Sequence, residues 1–343
     1  MDYRGRHDIF DSGRVRTYPL SVRSNKVTLD DLVRPEDVPG LDLSLPDEVV
    51  ADIGRIADRI VESRRTGRPV VLFTGAHLIK NGLGPLLVEL VRCGAVTLVA
   101  GNAATAIHDF ELALIGQTSE NVPNALDKGD FGMAYEFAYI NAALAAGNKR
   151  GLGFGEALGR IICDRGFRDE VLGAVARDGG PRRFAHPETS VLAACYDREV
   201  PCTIHAGVGT DVIDQHASFD GCAKGGCSGR DFLIYTQEVT KLAEGGVVLN
   251  IGSAVTGPEV LLKAVSMAAN TGSAPRGILT ADFDLRVHEP GQMTDEAAQC
   301  YYYRDQKSVV TRIPQAFAGE GLYIRANQKR SFPLLYAMIS EKL

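Results

Sequence analysis

Tryptophan is absent from this chain of 343 residues, and cysteine occurs only seven times. Seven is an odd number at low density, so the sequence does not read as a disulfide scaffold, and reduced thiols in a cytoplasmic compartment are expected. Excess positive charge is missing as well. The 37 lysines and arginines face 43 aspartates and glutamates, a net charge of -6, which argues against a nucleic-acid partner. No apolar run reaches the roughly twenty residues a membrane helix needs. The richest, Pro85 to Ala100, is interrupted by Glu89, Arg92 and Gly94. The N-terminus is charged throughout and lacks the apolar centre of a secretory signal. Nucleotide fingerprints are lacking too: there is no G-x-x-x-x-G-K-[ST], and Gly151-Leu-Gly153-Phe-Gly155 follows a helix-like segment, which weakens an ordinary Rossmann reading.

What is present is an alternation of two periods. Residues 1–46 hold Pro19, Pro35, Pro39 and Pro46 among charges without sustained periodicity and read as a surface arm, over this subunit or a neighbouring one. From Asp47, apolar residues recur at three- and four-residue spacing through Val61, which predicts a helix ending near Gly67. The β-branched run PVVLFTGA then reads as a parallel strand buried on both faces. The rhythm repeats with helices at 84–93, 107–115, 135–146, 154–165 and 169–177. Strands are expected at 95–100, 200–205, 247–251 and 277–282, with a helix, PEVLLKAVSMAAN, between the last two. This predicts an α/β fold, a mostly parallel sheet with helices on both faces, formed by residues 47–343 as a single domain.

In such sheets ligands gather at the carboxyl ends of the strands. Five ends read directly from the sequence: Thr74-Gly75-Ala76, Ala100-Gly101-Asn102, His205-Ala206-Gly207, Ile251-Gly252-Ser253 and Thr280-Ala281-Asp282. Each pairs small residues, which let a ligand reach the backbone, with a group able to orient it. His205 and Asp211 are the expected ligand-binding pair of the third end. Cys202, His205, Cys222 and Cys227 carry zinc-compatible donors, but the Cys222 to Cys227 spacing is loose, so no metal is expected. His77 and His108 flank the first two strand ends. Cys195 has no histidine placed to activate it as a nucleophile.

The blocks TGAHLIKNGLG, LVAGNAATAIHDFELAL, VPCTIHAGVGTDVID, GGVVLNIGS, LTADFD, DEA near residue 295 and RANQKRSFPLL together resemble deoxyhypusine synthase and its bacterial relatives, from about Val70 to the end. The resemblance implies a deoxyhypusine synthase-like NAD-binding fold, a transferase acting on a small-molecule amine or polyamine, and a homotetramer. Carried onto this chain, it implies cofactor contacts at Thr74, Gly75, Ala76, Asn81, Gly82, Ala100, Gly101, Asn102, Asp109, Gly252, Ser253, Thr280, Ala281 and Asn327. Asp282 and Asp284 then fall on the substrate side, joined by Asp211 and Glu259 as partners for substrate ammonium groups. The chain departs from the family where the catalytic lysine belongs: Asp295-Glu296-Ala297 is retained, but the lysine position is Tyr302. An imine with the substrate needs a lysine, and Lys307 and Lys263 are the nearby substitutes. The run AGNAATAIHDFELALIG with YEFAYINAALAAG also resembles the NAD-containing ornithine cyclodeaminase domain found beside arginine-degrading domains. Both resemblances imply hydride abstraction from an amino-bearing carbon, followed by transfer or elimination. A protein that keeps the NAD cradle without catalysis is the remaining alternative.

Overall fold

The computed structural model describes residues 3–293 and 295–343. Its first long helix, α1 (Asp47–Thr66), buries Ile53, Ile56, Ala57 and Ile60 on one stripe. Asp47 and Glu48 in the first turn and Arg64 and Arg65 in the last complement the helix dipole. Six strands follow: β1 (Val70–Thr74), β2 (Leu98–Gly101), β3 (Cys202–Ile204), β4 (Val247–Ile251), β5 (Leu279–Asp284) and β6 (Glu320–Arg325). Every pairing among them is parallel, and the sheet order is β3-β2-β1-β4-β5-β6. That is the doubly wound dinucleotide-binding order, with the direction of strand addition reversing between β1 and β4. The weakened Rossmann expectation is thereby corrected. The topology is present without its glycine fingerprint, because the turn after β1 spends a single glycine, Gly75, before the short helix Ala76–Lys80.

Further helices are α2 (Gly84–Arg92), α3 (Ala103–Ile115), α4 (Phe137–Lys149), α5 (Phe154–Cys163), α6 (Arg165–Val175), α7 (Val191–Asp197), α8 (Gly221–Val239), α9 (Thr256–Asn270) and α10 (Gln328–Ser340). Strand alternation sorts the core. Val70, Leu72, Leu249 and Phe283 pack with α1, α2 and α10 on one face, while Val71, Phe73 and Val248 pack with α8 and α9 on the other. A third core, holding Phe110, Phe137, Tyr139, Phe154 and Ile161, belongs to the helical block α3–α7 inserted between β2 and β3. The arm lies on its own chain. Asn25–Thr28 pairs antiparallel with Gln117–Glu120, and the Val33 amide donates to the Gly82 carbonyl. Among the described residues no helix is long and apolar enough to cross a membrane.

Candidate functional site

Strict register lines up the strand tips. Ile204, Gly101, Thr74, Ile251, Phe283 and Ile324 pair across the whole sheet, so the residues just beyond them form one row: His205, Asn102, Gly75, Gly252, Asp284 and Arg325. The sequence-predicted ends at Thr74, Ala100, Gly101, Asn102, Gly252 and Ser253 are therefore brought together. At the centre of the row the backbones of Gly75 and Gly252 touch, for a Cβ on Gly75 would stand 2.2 Å from the Gly252 carbonyl oxygen. Gly252 itself has φ +65, a left-handed conformation open to glycine, and a Cβ there would meet the Gln328 amide. Asn81 donates to Gln328 Oε1 at 3.3 Å, and the Ser253 hydroxyl accepts from the Gly257 amide at 2.9 Å, fixing the start of α9.

A cavity of about 260 Å³ opens over this crossing, lined by His77, Asn81, Gly252, Asp284, Arg286, Asp305, Asn327 and Gln328. Asn327 caps α10, accepting from the Lys329 amide. Burial, and then the positive charge of Lys80 and His108, hold His77 below the ordinary histidine range. Arg286 bridges Asp284 and Asp305. Asp282 lies two residues deeper than Asp284, wholly buried, where burial and then the charge of Asp305 raise its carboxyl well above the carboxylate range. Asn250 donates to it at 2.7 Å, yet Asp282 Oδ2 and Asn250 Oδ1 have no partner. Asp282 thus does not face the cavity, and Asp284 and Asp305 take its expected place.

The third tip holds a different arrangement from the one expected. His205 stacks on Phe73 at 5.6 Å, meets Tyr235 edge-on, and shares a hydrogen bond with Thr203. Burial lowers its pKa to about 4, so it is a neutral core side chain under the row. Asp211 is an ion-pair partner: the Lys224 ammonium sits 2.7 Å from Asp211 and 2.6 Å from Asp214, with almost no exposure. Lys224 escaped the sequence reading because α8 begins GCAKGGCSGR, whose glycines mask the helix. The available signal was that it is the only lysine between residues 201 and 240. Replacing it in Lys224→Met leaves two carboxylates facing each other, which is expected to cost about 3 kcal/mol in urea unfolding. An unchanged midpoint would contradict the pairing.

Other expectations are redistributed by the fold. Asp109 accepts from the Ser190 hydroxyl and from the Val191 and Leu192 amides, capping α7, and burial raises its pKa to about 6. Gly82, at φ +77, packs against the Asp31 carbonyl of the arm, and its own carbonyl accepts from the Val33 amide. Thr280 and Ala281 sit in the body of β5, because the strand runs on to Asp284. Lys307 is held by the Tyr301 carbonyl and ring, and lines neither this cavity nor the one lined by Lys80. Lys263 pairs with Glu259 on the surface of α9. Tyr302 is 63% exposed. The four zinc-compatible residues do not converge: Cys222 is exposed and Cys227 is buried against the Leu144 carbonyl. Among the described residues the one grouping with metal-ligand spacing is Asp282, Asp284 and Asp305. A cavity of about 610 Å³ opens beside Pro201 and Cys202, at the opposite end of β3 from the tip row.

A second cavity, of about 270 Å³, shares the short helix Ala76–Lys80 with the tip-row cavity. It is lined by Lys80, Ala104, His108, Glu111, Thr210 and Asp211, together with Arg23 and Glu120 of the paired ribbon. His77 and Lys80, on the same short helix, line one cavity each.

No family model matches the chain. A curated ornithine cyclodeaminase of Methanothermobacter thermautotrophicus is 29% identical over 153 residues, covering 41% of this chain and 35% of that protein. The chain thus spans about a third of that relative's length. Among solved structures, an arginine dihydrolase from the cyanobacterial ornithine–ammonia cycle aligns with a TM-score of 0.48 at 17% identity, over 88% of this chain and 33% of that one. The ternary complex of AgrE with ornithine and NAD+ aligns at 0.45 and 14%, over 88% and 34%. A candidate deoxyhypusine synthase of Entamoeba histolytica aligns at 0.37 and 9%, over 85% and 87%.

Proposed function

We propose that this chain binds NAD across the β1/β4 crossing and acts on a small amino acid as an ornithine cyclodeaminase-like lyase. The observation that carries this reading is the backbone contact of Gly75 with Gly252 at the reversal point of a dinucleotide-binding strand order. The curated relative supports the choice of reaction. A transferase of the deoxyhypusine type is less well supported, because Tyr302 is solvent-facing and Lys307 is engaged with Tyr301.

The residues fit the cofactor. Gly75 and Gly252 let the tips of β1 and β4 close on one another beneath the cavity, and Asn81, Gln328 and Asn327 supply amides around the opening. Bound NAD supplies a reversible hydride acceptor. His77, kept neutral by its surroundings, takes the proton that an amine must lose before its carbon gives up hydride. Asp284, paired with Arg286, offers a carboxylate to the substrate's ammonium group. The substrate's own side-chain amine then bonds to the oxidised carbon as the first amino group leaves as ammonia, and return of the hydride to that carbon leaves no net oxidation.

Incubation with NAD and L-ornithine, L-lysine or L-arginine tests this reading. Ammonia release is expected without stoichiometric accumulation of reduced nicotinamide, at a rate that falls as pH drops below the ordinary histidine range. NAD binding with no turnover of any amino acid would leave a non-catalytic binding protein.

A further inference from the structure

The second cavity contains a guanidinium that is only partly used. The Arg23 side chain is 5% exposed, and its Nη1 lies 2.7 Å from Glu111 while its Nε donates to Asn25 at 2.8 Å. Its Nη2 is buried without any partner. The neighbouring carboxylates are engaged with other donors, and neither meets Nη2. Glu111 already accepts from Thr118 and pairs with His108, and Glu120 accepts from Tyr18 at 2.8 Å and from the Gly132 amide at 3.0 Å. Burial alone would raise Glu111, but His108 and Arg23 outweigh it and hold the carboxyl down at about 2. Arg23 is thus a fixed cation with one buried donor edge left over, which is costly unless something accepts from it.

We propose that this edge receives the α-carboxylate of the substrate, making Arg23 of the N-terminal arm a specificity residue. The same cavity is lined by Thr210 and by Asp211, whose carboxylate also pairs with Lys224. A cavity lined by both a cationic donor and acidic groups suits a zwitterion rather than a diamine or a phosphate. The substrate class is therefore an L-α-amino acid with its carboxylate intact, and decarboxylated polyamines are excluded. Arg23 belongs to no motif of the strand tips. The arm brings it in by pairing Asn25–Thr28 against Gln117–Glu120 beside α3.

This inference rests on the reading of the chain as an amino-acid enzyme, and one experiment separates their failures. Affinities of the NAD-saturated protein are measured for three matched pairs: L-ornithine and putrescine, L-lysine and cadaverine, L-arginine and agmatine. In the unmodified protein at least one amino acid is expected to bind more than about 30-fold tighter than its amine, the usual worth of a charge-assisted hydrogen bond to a buried group. In Arg23→Gln that preference collapses to about unity while NAD affinity stays unchanged, and Arg23→Lys restores part of it. A purely structural role would weaken NAD and both members of each pair alike. A preference that survives Arg23→Gln, an amine bound as tightly as its amino acid, or no binding of any of the six while NAD still binds, would overturn the assignment. Loss of NAD binding in the unmodified protein would instead overturn the function beneath it.

Discussion

Gly75→Ala is expected to cut NAD affinity by about 100-fold and to lower stability by about 3 kcal/mol, while leaving the helical signal intact. The reason is positional. Gly75 has an extended backbone that any residue adopts, so no conformational strain is involved. A methyl group there, however, would lie 2.2 Å from the Gly252 carbonyl oxygen, and backbone cannot swing aside as a side chain can. The tips of β1 and β4 must separate by most of an ångström, which displaces the groups arranged around the crossing. Gly252→Ala provides the contrast. Its methyl would meet only the movable end of Gln328, so the left-handed φ of +65 is the main cost, about 1 kcal/mol. Isothermal titration of NAD with denaturant unfolding of both variants checks this ranking. Equal NAD affinity in Gly75→Ala and the unmodified protein would show that the crossing is not the cradle.

A second large effect concerns Asp231 on α8, which ties the start of α5 to β3. Its Oδ2 accepts from the amides of Phe154 and Gly155 at 3.1 Å each and from Ile204 at 2.7 Å. Burial nevertheless raises its pKa to about 7, against the pull of those three bonds. A folded-state value above the ordinary 3.8 means that the stabilising contribution is complete below about pH 4 and is lost as pH rises through about 7. The full span corresponds to roughly 4 kcal/mol. Asp231→Asn keeps an oxygen for the three amides and never ionises. Its stability relative to the unmodified protein is therefore expected to climb by several kcal/mol between pH 4 and pH 8, as measured by urea unfolding across that range. Asp109 and Glu111 titrate in both proteins and cancel in the comparison. A difference that stays constant with pH would mean that Asp231 is ionised throughout.

The parallel sheet was legible because its central strands are uniformly apolar. VVLFT and VVLNI are buried at every position, a pattern that few other contexts demand. The edge strand β6 was not legible. EGLYIR is only partly buried and carries charge at both ends, so neither period stands out. Helix α8 was hidden by Gly221, Gly225, Gly226 and Gly229. Its stability comes from the Asp220 cap and from packing of Tyr235 and Val239 rather than from intrinsic propensity. At the site, glycines at strand ends could be read one at a time, but their alignment into a row depends on register, which no local pattern encodes. Asp109 illustrates the converse. The family resemblance implied a cofactor contact there, whereas the inserted helical block, invisible as a unit in the sequence, turns Asp109 toward the N-terminus of α7. Arg23 was missed for a similar reason, since only the pairing of two short ribbons separated by about ninety residues carries the arm to the cavity.

The account stands on dinucleotide occupancy of the β1/β4 crossing, and direct titration of NAD into the purified chain by calorimetry tests it most simply. A dissociation constant of about 10 µM or tighter, abolished or strongly weakened by Gly75→Ala, is the result expected. No heat of binding up to about 1 mM NAD would contradict it.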